Sequence, residues 1–127
     1  STSSISMAAS VEALEGNQEF IHLHNIEFKK RRDLITRLLS GIKGFNLNKP
    51  EGAFYIFPDI SSYFGKNING KNINNSSDFS LFLLQKAHVA TVSGEAFGNP
   101  NCIRISYAAS SDQIKMACQQ IKSSLMQ

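Results

Sequence analysis

Between Phe20 and Ile42 one pattern leaves the chain few choices. Phe20, Leu23 and Ile26, then Leu34, Leu38 and Ile42, with apolar neighbours between them, return at steps near three and four. That is the period of an α-helix with one apolar face. Asn17 stands before the run as an N-cap, and Gly44 follows it as a stop. The predicted helix has about 25 residues and spans roughly 38 Å at its usual rise per residue. That is long for a chain of 127 residues. Helices of this length commonly bridge two bodies of a larger protein.

Shorter elements flank it. Ile5 to Leu14 make a mostly apolar helical stretch that stops at Gly16. Phe45 to Asn48 predict a short strand, turned by Lys49-Pro50-Glu51-Gly52 into a second strand, Ala53 to Phe57, which Pro58 closes. Residues 61–77 are polar and rich in Asn. Their weak repeat, GKNING followed by GKNINN, predicts a surface loop or insertion. Ser77 or Asp78 caps a helix through Ala87. Val89 to Val92 and Cys102 to Tyr107 read as strands, and Ser110 or Ser111 starts a final amphipathic helix carrying Ile114, Cys118 and Ile121 on one face. The order implies an α+β fold: a small, mainly antiparallel sheet with helices packed on one side. Phe54, Ile56, Val92, Ile103, Ile105, Ile114 and Ile121 are the expected core.

Composition excludes several classes. Hydrophobic residues make up 42% and charged residues 18%, which suits a globular domain and not a disordered tail. A net charge of +3 is too small to argue for nucleic acid or a membrane surface. No apolar run approaches the ~20 residues of a membrane span, and residues 1–14 lack the basic and apolar regions of a signal peptide. The start at Ser1 fits an excised or processed segment. Cys102 and Cys118 form no framework, which suits a reducing, cytoplasmic setting.

Two features could carry chemistry. In Ile103-Arg104-Ile105-Ser106-Tyr107, alternation puts the apolar residues on one face and Arg104 with Ser106 on the other. A mid-strand arginine has a stiff base, and its planar fork can grip a carboxylate with two parallel hydrogen bonds. The same pattern also accommodates an arginine facing solvent or paired with an internal acid. Just before it, Ser93-Gly94-Glu95-Ala96-Phe97-Gly98 is a glycine turn of the kind that suits a site loop or a plain bend, with Gly94 and Phe97 as candidates. His22 and His24 lie two apart on a helix and point apart, so no metal site is expected. Lys29-Lys30-Arg31-Arg32 covers most of a helix circumference and reads as a solvated face. Phe54, Tyr55 and Phe57 lack the interleaved basic residues of an RNA-binding sheet and read as core.

Pro50-Glu51-Gly52-Ala53-Phe54-Tyr55-Ile56-Phe57-Pro58 resembles the PEGAFY-x-FP segment of the class I and II aminotransferases, the bacterial aspartate aminotransferases in particular. Val89 to Gly98 resembles their VA-x-x-PG-x-x-FG segment, with Ser93 in place of the proline. Ile103 to Ala108, the RRD of Arg31-Arg32-Asp33 and the Ser4-to-Ala9 helix start are similar as well, so the likeness runs along the whole chain.

The resemblance implies the small domain of a fold-type I enzyme that uses pyridoxal phosphate and acts as a homodimer on amino-acid and 2-oxo-acid substrates. It implies that residues 1–16 belong to the large-domain side, 17–44 form the connecting helix and 45–127 the small domain. It places the substrate α-carboxylate on Arg104 and orients the substrate's Cα–H bond toward the catalytic lysine. No lysine here stands in the family's lysine motif, so the Schiff-base lysine is expected upstream, on the remainder of the same polypeptide, and this chain alone is expected to be inactive. A stand-alone, non-catalytic binding or interaction domain of the same descent, and a basic nucleic-acid module, remain as the other two readings.

Overall fold

The structure is a computed structural model that describes residues 1–126. Helix α1, Ser4–Glu15, begins at Ser3, whose hydroxyl accepts the Ser6 N–H at 3.2 Å. It buries none of its residues. Helix α2 runs Glu19–Ser40 with Gln18 as its N-cap, one residue after the expected Asn17, and Asn17 still serves it by accepting the Glu19 N–H at 2.7 Å. Its end falls at Gly41 and not at Gly44. Gly44 instead takes a left-handed turn (φ +99°), where an added Cβ would lie 2.7 Å from Ser62 Oγ and 2.9 Å from the Tyr63 ring.

The strands are shorter than the sequence suggested. Strands β1 (Tyr55–Ile56), β4 (Val92–Ser93) and β5 (Ile103–Ser106) form one antiparallel sheet in the order β1-β5-β4. Phe45 to Asn48 contribute only one bridge, Asn46 to Asp59. Strands β2 (Lys66–Ile68) and β3 (Lys71–Ile73) pair as a hairpin where a loop was expected. The weak sequence repeat is its two arms. Asn69 (φ 48°) and Gly70 (φ 80°) both hold positive φ, the requirement of a two-residue type I′ turn.

Helix α3, Ser76–Phe82, starts one residue before the first of the expected caps. Its cap is Asn75, whose side chain accepts the Asp78 N–H at 2.8 Å. The helix widens into a π-turn over Leu83–Ala87, and His88 (φ 54°) ends it. Helix α4, Ser111–Leu125, carries a reciprocal cap: Ser110 Oγ accepts the Gln113 N–H at 3.3 Å, and Gln113 Oε1 accepts the Ser110 N–H at 3.1 Å.

One core joins the second half of α2, helices α3 and α4, and the inner face of the sheet. Leu39, Ile56, Phe79, Leu83 and Ile103 have no exposed surface, and each contributes roughly 1.5–3 kcal/mol by leaving water. Two expected core residues do not belong to it. Val92 is 43% exposed and Phe54 38%. Val92 pairs directly with Arg104 across the ladder, and directly paired residues share a face, so Val92 must point outward with it. Phe54 follows Ala53, which turns the chain at φ 55°, and lies at the edge against Phe28.

Candidate functional site

Strand β5 divides its side chains as alternation requires. Ile103, Ile105 and Tyr107 are buried, Ser106 is exposed, and Arg104 is half-buried on the outer face. Tyr107 fastens the strand end, donating its hydroxyl to the Ala53 carbonyl at 3.1 Å. Burial pushes the Tyr107 phenol up from its ordinary range, so it remains a donor at neutral pH.

Arg104 meets two rings. Its guanidinium carbon lies 3.9 Å from the centre of Phe97 and 4.4 Å from the centre of Tyr55. No carboxylate or carbonyl of the described residues bonds its N–H groups. The neighbouring arginines of α2 behave differently. Arg31 donates to Glu27 at 3.1 Å and to the Ala108 carbonyl at 3.3 Å. Arg32 bonds Asp33 at 3.0 Å and the Pro50 carbonyl at 3.4 Å. The hydrogen bond from Arg32 holds the Asp33 carboxyl below its usual range. The basic run is therefore half drawn into the chain, and only Lys29 and Lys30 keep the solvated character expected of all four.

The glycine turn brings Phe97 to Arg104. Gly94–Phe97 form a 3-10 turn closed by Gly98, which adopts φ 80°. Gly94 is buried, and a Cβ there would collide with the backbone oxygens of Asn99 and Cys102. Its N–H donates to the Cys102 carbonyl at 2.8 Å, and its carbonyl accepts from Asn99 at 3.1 Å. Gly98 donates to Glu95 at 3.2 Å. These amides are already engaged, so the turn is a bracket for Phe97 and not a cradle for phosphate. Ser93 holds φ −54°, within proline's own range. Its hydroxyl accepts the Glu95 N–H at 3.3 Å and meets the buried Ser76 hydroxyl at 2.8 Å. These two hydrogen bonds hold the bend.

Of the three candidates, Arg104 and Phe97 come together, while Gly94 acts from within the bracket. Sequence reasoning missed Tyr55, which it assigned to the core with Phe54 and Phe57. Alternation about the buried Ile56 was the available signal, because it sets Tyr55 and Phe57 on the outer, Arg104 face. Phe57 meets Phe97 edge-on at 6.3 Å, and Phe54 lies 4.6 Å from Tyr55.

Residues 1–121 match the family described as aminotransferase class I and II. The chain belongs to the class I and II aminotransferases. It is 47% identical to a probable aspartate/prephenate aminotransferase of Rickettsia bellii, over 94% of this chain and 30% of that protein. To a bifunctional aspartate aminotransferase and glutamate/aspartate-prephenate aminotransferase of Petunia hybrida it is 43% identical, over 98% and 27%. The crystal structure of the aspartate aminotransferase from Rhizobium meliloti superposes with a TM-score of 0.92 at 44% identity, covering 97% of this chain and 31% of that one. The chain thus spans about 30% of the length of the curated relatives it matches.

Class I and II aminotransferases depend on pyridoxal phosphate. Every lysine is exposed at the surface. No three His, Cys, Asp or Glu side chains among the described residues gather as a metal site. No helix of the described residues is long and apolar enough to cross a membrane.

Proposed function

We propose that this chain is the part of an aminotransferase that holds the substrate's α-carboxylate, and that Arg104 is the residue that does so. One observation carries the reading: Arg104 is half-buried against two rings, yet it has no acceptor among the described residues. A structural arginine in such a place commits its donors, as Arg31 and Arg32 do. An uncommitted planar fork beside a rigid turn suits an incoming carboxylate, which it can meet with two parallel hydrogen bonds.

The enzyme of which the chain forms a part would move an amino group between an amino acid and a 2-oxo acid. Aspartate is the amino donor we favour, since the relatives are named for aspartate and, in several cases, prephenate. In this reading the cofactor and its Schiff-base lysine sit on the remainder of the polypeptide, the full-length enzyme is a homodimer in the cytoplasm, and the chain alone is inactive. Residues 1–16 belong with the large domain, 17–44 connect, and 45–127 form the small domain. The wholly exposed α1 supports that division.

In the full-length enzyme Arg104→Lys keeps the charge and loses the fork, so kcat/KM should fall roughly a hundredfold or more for every amino-acid substrate. Arg104→Ala in the present chain should lower the unfolding free energy from a urea melt by about 1 kcal/mol or less, as expected for a residue without an ion pair. Near-normal turnover of the lysine variant, or severe destabilisation of the alanine variant, would overturn the assignment.

A further inference from the structure

We infer that Tyr55 and Phe97 are positioning residues: together they form an aromatic seat that fixes the plane of the Arg104 guanidinium before any substrate arrives. The inference rests on the carboxylate-binding reading of Arg104 and adds what sets the strength of that grip. Both rings lie within cation–π reach, at 4.4 Å and 3.9 Å. This attraction acts through the ring faces, so it orients the guanidinium without occupying any of its N–H donors. A hydrogen-bonded seat would orient it too, but would leave fewer donors for a ligand.

Each ring is itself held. Tyr55 stands on β1, beside Phe54 at 4.6 Å, and Phe54 in turn stacks on Phe28 of α2 at 6.0 Å. Phe97 stands on the bracket whose Gly94 packs tightly against the Asn99 and Cys102 backbone, and Phe57 meets its edge. Phe97 remains 44% exposed despite its size. A large ring with so little burial contributes little to the core of this chain, and its face is given to Arg104. Binding then costs less, because the long side chain has already lost its rotamer freedom when the carboxylate arrives.

A seat of this kind acts on the bound ground state and on later states alike, so it should set KM and leave kcat nearly unchanged. The probe is maleate, a four-carbon dicarboxylate with no amino group to transfer, titrated into the full-length holoenzyme by calorimetry. Phe97→Leu and Tyr55→Leu keep apolar bulk and remove the ring face. Each should raise the maleate Kd and the aspartate KM by roughly three- to tenfold, with kcat within about twofold and the melting temperature unchanged. Phe97→Tyr and Tyr55→Phe keep the faces and should bind as the parent does. Phe97 is exposed enough for its leucine variant to fold, so the test does not depend on the Tyr55 variant. Leucine variants that bind like the parent, or leucine and aromatic swaps that lose affinity alike, overturn the seat. If Arg104→Lys weakens maleate binding while the leucine variants do not, the seat fails and the reading of Arg104 stands. If Arg104→Lys has no effect, both fall.

Discussion

At Gly94 the backbone has no room for a side chain. The oxygens of Asn99 and Cys102 occupy the place where a Cβ would stand; Cys102 is bridged to Asp59, and Asn99 is tied by backbone hydrogen bonds to Gly94 and Cys102. Backbone cannot step aside as the end of a long side chain can, so Gly94→Ala should cost about 2–3 kcal/mol in a urea melt. Gly98 makes a useful contrast. A Cβ there meets nothing, and only its φ of 80° opposes the change, so Gly98→Ala should cost about 1 kcal/mol. Equal midpoints for the two variants would show that the bracket is softer than its packing implies. The letters SGEAFG announced a turn, yet only the fold reveals which glycine is required by space and which by φ. Arg104 itself was legible, because alternation between two buried isoleucines reports a side chain's face directly. Val92 was not. Its burial depends on which residue it opposes, and pairing register is a relation between distant segments that no local pattern carries.

Elements with a strong period or a well-formed cap were readable at the same level of detail. Helix α4 follows from Ser110 and the spacing of Ile114, Cys118 and Ile121, and α2 follows from its apolar stripe. The hairpin of β2 and β3 was not readable as such, since each arm offers one isoleucine among lysines and asparagines. Asn69-Gly70 was the available signal, a strong two-residue turn dipeptide lost within an Asn-rich run. The structure makes this segment part of the core and not an ornament. Ile68 and Ile73 are buried, and Asn69 Nδ2 donates to the Ser124 carbonyl of α4 at 2.8 Å. Ile73, at 1% exposure, should therefore cost about 2–5 kcal/mol when cut to alanine. A dispensable loop would tolerate the same change within roughly 0.5 kcal/mol, and a single urea melt separates the two.

The whole molecule is lopsided in its use of apolar surface. From Phe28 onward α2 joins a closed core, whereas α1 buries nothing and Ile5 and Leu14 are each 82% exposed. Phe20, Ile21, Leu23 and Ile26 continue the exposed patch along the first half of α2. A short helix in water is marginal without packing, because its nucleation cost is offset by few hydrogen bonds. Helix α1 has a Ser3 cap but no buried face and no acid in its first turn, so little beyond its own backbone bonds holds it. In a dilute, monomeric sample of this chain, amides of residues 5–14 should exchange at nearly the rate of an unfolded peptide. Those of Ile103 and Ile105, on the central strand, should exchange only through global unfolding. The boundary should fall inside α2 near Phe28, where partial burial against the core begins. Strong protection of residues 5–14 in a monomer would show that α1 is stable without a covering surface, and would remove the support that its exposure lends to a large-domain partner. Protection that appears only as concentration rises would mean instead that a second copy covers the same apolar face.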